Sequence, residues 1–171
     1  NLMEQGSLIQ IKGISHASSD LQNAQVAERQ AKASEISLKD YNCPINIQIE
    51  YCNTPSTGSG ITLWAIFSTD KNEIDIRNPI RLGADSLGEK DKKAEIVGQE
   101  AAQVLAKEIE SHAPVDAHLA DQILKFMTLA GGKIKTSKIT DHTKTNIYTI
   151  EQFLGKTFSI DETSNAISTI N

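Results

Sequence analysis

The segments INIQIEY (45–51) and GITLWAIF (60–67) constrain this chain more than any others. Both are rich in β-branched and aromatic residues, and the first alternates apolar with polar side chains, so both are read as strands. CNTPSTGSG between them has little core potential, and its STGSG reads as a hairpin loop. GSLIQIKGIS (6–15) predicts a further strand, and DLQNAQVAERQAKASEISL (20–38) predicts a helix opened by Asp20. A weaker strand, PIRLGA (79–84), leads to a long helix over about 89–112, whose apolar face would carry Ile96, Val97, Ala101, Val104, Leu105 and Ile109. The resulting β-α-β-β-β-α order describes a compact α/β unit.

Pro114 breaks the pattern. VDAHLADQILKFMTLAGG (115–132) predicts a second helix, capped by Asp116, burying Leu119, Ile123, Leu124 and Met127, and terminated by Gly131 and Gly132. KIKTS is a short strand, a helix near 143–154 turns Ile147, Ile150 and Phe153 inward, and KTFSI and AISTI close the chain as two strands. This α-β-α-β-β tail buries too little to stand well without a partner surface. A length of 171 residues with 39% hydrophobic content fits one ordinary domain or two small ones.

No apolar run approaches the roughly 20 residues that cross a bilayer, and no charged-then-apolar segment opens the chain, so a cytoplasmic protein with no membrane partner is expected. Cys43 and Cys52 are too few for a disulfide framework and lack C-x-x-C spacing, so they read as two reduced thiols. A net charge of −5 excludes coating of nucleic acid by bulk electrostatics; any RNA contact must be local. Lys133, Lys135, Lys138 and Lys144 supply a local source of charge, with Asp141 the one acid among them. A solvated lysine-bearing edge strand explains them equally well. The opening Asn-Leu-Met is expected of a piece of a longer protein.

Gly83 and Gly88 in LGADSLGEK are spaced as in a phosphate-binding loop, but Glu89 follows where lysine is needed and would repel phosphate. A tight turn into the next helix accounts for both glycines. His112 and His118 are six residues apart and share no helix face, so no sequence-local zinc site is present. His16, beside Ser15, Ser18 and Ser19, reads as a loop histidine making local hydrogen bonds. In HLADQ, His118, Asp121 and Gln122 fall at i, i+3 and i+4 on one helix face. Such a face can read a nucleotide or hold hydrated Mg2+, or it can be the wet side of an amphipathic helix. SKITDHTKTN (137–146) sets His142 near a helix start that Asp141 can cap, among Thr140, Thr143 and Thr145. Free N–H groups and the positive dipole end attract phosphate there, and a neutral imidazole has a lone pair that can attack phosphorus. A cap-region histidine facing solvent is the alternative.

Taken in order, GISHASSD, VAERQA, GSGITLWA, LGADSLGEKDKKAEIVGQEAA, VDAHLADQ, LAGG, SKITDHTKTN and IEQFLG resemble the RNA 3′-terminal phosphate cyclase family. The resemblance covers nearly the whole chain, but only the second half of the family's usual length. It implies an α/β (α+β) fold in which a thioredoxin-like insert, here 7–113, interrupts a large domain of βαβαββ repeats. The last part of that domain would be 114–171, with 1–6 a linker from a missing N-terminal half. The implied activity is ATP-dependent conversion of an RNA 3′-phosphate to a 2′,3′-cyclic phosphate, with Mg2+ or another divalent cation whose ligands are not assigned. The family's nucleophilic histidine matches His142, which would carry covalent AMP. Its ATP-contacting motif matches His118, Leu119, Ala120, Asp121 and Gln122, with His118 where some members place tyrosine against the adenine. Lys133, Lys135, Lys138 and Lys144 are then expected on RNA backbone phosphates. The expected partners are RNA with a 3′-terminal phosphate and the N-terminal half of the same protein. Further ATP- and metal-contacting residues lie in that half, so this stretch alone is expected to be inactive. Non-catalytic relatives acting in ribosome assembly share the fold but lack the histidine, and His142 together with HLADQ sets this chain apart from them.

Overall fold

The computed structural model describes residues 1–69 and 80–170; Pro79, the first residue of the predicted PIRLGA strand, lies outside them. The chain divides into two units, Ser7–Glu110 on the one hand and Asn1–Gly6 with Ser111–Asn171 on the other.

In the first unit, β1 (Ser7–Ser18), α1 (Val26–Leu38), β2 (Ile45–Cys52), β3 (Ser59–Ser68), β4 (Ile80–Leu87) and α2 (Ala94–Glu110) follow in the predicted order. The sheet order is β2-β1-β3-β4, with β2 parallel to β1 and β3 antiparallel to both β1 and β4. The predicted hairpin through STGSG does not form, because β1 lies between β2 and β3. Proximity in sequence favours pairing β2 with β3, but β1 is the longest strand at 12 residues, and a central position gives it ladder partners along both edges. The α1 crossover then makes β2 parallel to it. The buried side chains of β1, β3 and β4, including Ile11, Leu63, Phe67 and Leu82, pack with Val97, Ala101, Leu105 and Ile109 of α2.

Several boundaries differ from those predicted. β1 runs on through Ser18, so His16 is a strand residue rather than a loop one. Residues 19–24 form a 3-10 turn, Gln25 takes a left-handed backbone (φ 50°), and α1 starts only at Val26. Asp20 does not open α1. Its carboxylate is held below the usual range by hydrogen bonds from Ser18 and then from Thr57, whose Oγ1 donates at 2.5 Å. α2 begins at Ala94 rather than near 89, since Asp91 has φ 65°, which breaks a right-handed helix. Ile96 and Val104 are 40% and 43% exposed, outside the buried stripe of Val97, Gly98, Ala101, Ala102 and Leu105.

α1 buries Ala27, Gln30, Ala31, Ala33, Ser34 and Leu38, and the small residues among them let α2 come close. Ser34 Oγ donates to Gly98 O at 2.8 Å across this seam. The fully buried Gln30 is paired at both ends of its amide: Ser15 Oγ lies 2.9 Å from Oε1, and Nε2 donates to Ser59 Oγ at 2.9 Å. Beside the seam, Arg29 Nε and Nη2 donate to the two oxygens of Glu95 at 2.7 and 2.8 Å, which holds the Glu95 carboxyl at about 2. A carboxyl whose pKa is lower folded than unfolded stabilises the fold above the unfolded value and loses that contribution as it is protonated. The pair's contribution is therefore expected in full above the ordinary value of 4.5 and to fade as the pH falls towards 2. Thermal melts of the chain and its Glu95→Gln variant should show a small gap that closes on acidification through that window; a gap independent of pH would contradict the assignment.

The second unit contains α3 (Ala117–Ala130), β5 (Lys133–Lys135), α4 (Asp141–Leu154), β6 (Phe158–Asp161) and β7 (Ala166–Thr169), in the predicted α-β-α-β-β order. Its antiparallel sheet runs β5-β7-β6, and Leu2 bridges Ile134 of β5 in parallel. The first residues are thus bonded into this unit: Leu2 N donates to Lys133 O at 2.9 Å and Gln5 Nε2 to Ala113 O at 3.1 Å. Val115, Ala120, Leu124, Met127, Ile134, Ile147, Phe158 and Ile167 make the core.

Leu119 and Phe153, predicted inward, are exposed, Phe153 by 84%. The reason is a mismatch of lengths. Helices of fourteen residues extend about 21 Å, whereas strands of three or four residues cover roughly 10–13 Å, so the helix ends overhang the sheet. Leu129, two residues past the buried Met127 and so on the other side of α3, is 87% exposed. Among the described residues no helix is long and apolar enough to cross a membrane.

Candidate functional site

The candidate residues His118, Asp121, Gln122 and His142 stand in the first two turns of α3 and α4. Asp116 caps α3 as predicted, its Oδ1 accepting from His118 N at 3.0 Å and Leu119 N at 2.7 Å. Those two N–H groups are therefore spoken for, and the anion-attracting end of α3 already holds a carboxylate. His118 and Gln122 are exposed and Asp121 is half-buried, so the predicted polar face is the accessible side of α3. Leu119 is exposed beside them, while Ala120 is fully buried in the core behind.

α4 is capped by Thr140 and not, as predicted, by Asp141, which is its first residue. Thr140 Oγ1 accepts from Thr143 N at 3.1 Å and lies 3.0 Å from Thr143 Oγ1. Thr143 is fully buried, so this exchange fixes where the helix starts. Thr140→Ala is expected to destabilise the second unit by about 1 kcal/mol and Thr140→Ser to be nearly neutral, read from urea unfolding. Equal losses for both would rule out the cap as the cause. His142 follows at the second helical position with its side chain exposed.

Between the two helices lies a cavity of about 330 Å³ lined by Asp121, Gln122, Leu124 and Lys125 of α3 and Asn146, Thr149 and Ile150 of α4. Asn146 Nδ2 donates to Asp121 O at 3.4 Å. Asn146 and Thr149 lie four and seven residues beyond His142, so all three share one stripe of α4. One turn, about 5.4 Å, separates His142 from the residue touching the HLADQ helix. The sequence reading missed Lys125, Asn146 and Thr149. For Asn146 the signal was present, in its i+4 relation to His142.

The four lysines divide. Lys133 and Lys138 are exposed. Lys135 Nζ donates to His112 O at 3.3 Å. Lys144 Nζ donates to Glu162 Oε1 at 2.6 Å, and this bond raises its pKa, with the charges of Glu162 and Asp141 adding to the effect. The lysine-bearing strand β5 is not a bare edge, since Leu2 pairs with it on one side and β7 on the other.

Among the described residues no group of three or more His, Cys, Asp or Glu side chains could hold a metal ion. Cys43 and Cys52 are free thiols, and burial raises the pKa of Cys43.

A mixed four-stranded sheet in β2-β1-β3-β4 order, followed by a small α+β unit with a histidine at a helix start, defines an α+β protein. Residues 3–110 match the family model described as the RNA 3′-terminal phosphate cyclase insert domain. The chain belongs to the RNA 3′-terminal phosphate cyclase family. It is 43% identical over 155 residues to the RNA 3′-terminal phosphate cyclase of Pyrococcus abyssi, a match covering 91% of this chain and 42% of that relative. Relatives of the same name from Pyrobaculum aerophilum and Sulfurisphaera tokodaii are 43% and 44% identical over 162 residues, covering 93% and 94% of this chain and 43% and 44% of their own lengths. The chain thus spans a little over two fifths of the curated relatives it matches.

Proposed function

We propose that this chain is the C-terminal part of an RNA 3′-terminal phosphate cyclase, in which His142 is the nucleophile and the accessible face of α3 helps to hold ATP. The observation that carries the reading is the single stripe of α4 on which His142 stands one turn from Asn146, itself bonded to Asp121 of the HLADQ helix.

The α3–α4 cavity, with a carboxylate, amides, a hydroxyl and the Lys125 ammonium around about 330 Å³, suits a base or ribose rather than a whole nucleotide. ATP is then a substrate consumed in three displacements at phosphorus. A neutral His142 nitrogen attacks the α-phosphorus, forming the N–P bond of a histidine–AMP intermediate as the P–O bond to pyrophosphate breaks. An oxygen of the RNA 3′-phosphate next attacks that phosphorus, and His142 leaves as neutral imidazole. The vicinal 2′-hydroxyl finally attacks the 3′-phosphorus, loses its proton to solvent or a nearby base and expels AMP, helped chiefly by proximity. Lys133 and Lys138 are exposed and take part in none of the ion pairs among the described residues, so they suit the RNA backbone phosphates best, whereas Lys144 would first have to leave Glu162. Among the described residues no group of three or more His, Cys, Asp or Glu side chains could hold a metal ion, and no step is assigned to a divalent ion.

A partner in the form of the N-terminal half fits the apolar side chains that α3 and α4 leave exposed, Phe126, Leu129, Tyr148, Phe153 and Leu154. A reducing cytoplasm fits the free thiols. The test is incubation of the full-length protein with α-phosphate-labelled ATP, followed by peptide mapping. Acid-labile label on the peptide carrying His142 is expected; stable label elsewhere, or none, would overturn the reading and leave the non-catalytic ribosome-assembly relatives as the better comparison.

A further inference from the structure

The first unit carries a second surface that the chemistry at His142 does not use. Both helices cover one face of its sheet, and the residues alternating with the buried Ile11, Leu63, Ala65, Leu82 and Ala84 emerge on the other. Cross-strand register places Asn46, Lys12, Trp64 and Gly83 in one row, and Gln48, Ile14, Thr62 and Asp85 in the next. Glu50, His16, Gly60 and Leu87 make a third row, and Arg81 lies beside Ile66 on the far side of Trp64. Ile66 is buried, so the face closes there. From Trp64 onward, Lys12, Asn46, Gln48, Thr62, His16, Glu50 and Asp85 are exposed, with Trp64 and Ile14 half-buried.

Charge on this face is sorted. Lys12 and Arg81 flank the indole, while the acids Glu50 and Asp85 stand in the rows beyond it. Among the described residues, neither cation is in an ion pair, and the one cation lying over an aromatic ring is Lys125 over Phe126, so the indole is not covered by Lys12 or Arg81. Next to Trp64 on β4 stands Gly83, which contributes no side chain to that row. An aromatic ring with cations on two sides and the amides of Asn46 and Gln48 alongside matches what a single strand of nucleic acid needs: a plane for a base, charge for its phosphates and polar groups for its edges.

We propose that this sheet face binds single-stranded RNA, one base stacking on Trp64 and the neighbouring phosphates meeting Lys12 and Arg81. The occupant is RNA because of the reading proposed above, on which this inference rests, but it requires nothing of His142. The acids at Glu50 and Asp85 would keep the backbone to the Lys12 side.

Trp64 is the only tryptophan of the chain, so its emission reports on this face alone. An eight-nucleotide RNA ending in a 3′-hydroxyl, which cannot be cyclised, is titrated into the 171-residue chain. Saturable quenching is expected, weakening with salt along a log–log slope near −1.4 for two phosphate contacts on a single strand. Lys12→Glu with Arg81→Glu should abolish the quenching, while Lys107→Glu, on the exposed side of α2, should leave it unchanged. With a fluorescent RNA read by anisotropy, Trp64→Leu should weaken binding about tenfold and Trp64→Phe much less. Thermal melts establish that each variant is folded. No quenching, or quenching indifferent to the charge reversals, overturns the proposal, as does an emission shift produced only by the remaining part of the full-length protein. Labelling of His142 without quenching by RNA would refute this face and leave the catalytic reading standing.

Discussion

Replacing His142 by alanine in the full-length protein is expected to lower AMP transfer from ATP by at least about four orders of magnitude, with folding unchanged. Removal of a covalent nucleophile takes away the bond that divides one hard displacement into easier ones, and losses of that size follow wherever the nucleophile and its surroundings act as a unit. His142 is exposed at the second position of α4, and the cap is made by Thr140 and Thr143, so neither core nor cap is lost with the ring. The variant should melt within about 1 °C of its parent, since surface changes away from special features alter stability little. Asparagine at the same position should be equally inactive, because an amide nitrogen has no free lone pair to offer phosphorus. A more modest companion is Asn146→Ala, which removes the bond to Asp121 O and should raise KM for ATP more than it lowers kcat. Retained labelling in His142→Ala would end the assignment. A fall in melting temperature by several degrees would show that the ring is part of the fold instead.

The second large effect concerns stability. Gly98→Leu is expected to unfold the first unit or to lower its melting temperature by more than 10 °C. A Cβ at Gly98 would overlap the carbonyl oxygen and carbon of Gln30 on α1, both backbone atoms, and would press on Ser34 Oγ. Flexible side chains can turn away from such a contact; a helix backbone cannot, so α1 and α2 would have to separate. Separation would break the Ser34 bond to Gly98 O and disturb the paired, buried amide of Gln30. Overpacking of this kind costs roughly 1–3 kcal/mol or more, and each kcal/mol moves the melting temperature of a domain near 100 residues by about 4–8 °C. Gly58→Ala is the control. Nothing lies within 4 Å of its added Cβ, and stability should be unchanged or slightly higher. The emission of Trp64, on β3 of the same unit, follows the transition. Similar melts for the two variants would mean that the seam is loose.

The helix α3 shows how much could be seen in advance. Asp116, the apolar spacing of Leu124 and Met127, and Gly131 mark its start, face and end locally, and all three held. α1 shows the opposite. An unbroken run from Asp20 to Leu38 is good helix sequence, yet Gln25 turns left-handed and Asp20 bonds to Thr57, a residue 37 positions away. No local signal announces that exchange, because the competing partner comes from another segment. The same holds for Phe153. Its spacing from Ile150 fits an inward face, but the strands beneath are too short to meet it.

At the candidate site, His142 and HLADQ were legible because residue type and helical period suffice to single them out. Asn146, Lys125 and Thr149 were not, since they matter only through the cavity that two helices form together. Which lysines are engaged depends on the same kind of contact, Lys144 being answered by Glu162 from the turn after β6.

The sequence by itself determined the succession of elements and the family, because these follow from periodicity, caps and short ordered motifs. Tertiary structure alone decided that β1 parts β2 from β3, that α1 and α2 meet through small residues, and that Trp64 shares one sheet face with Lys12 and Arg81. Each of those outcomes is a choice among long-range pairings, and such pairings are settled by which surfaces become buried together rather than by the neighbours of any residue along the chain.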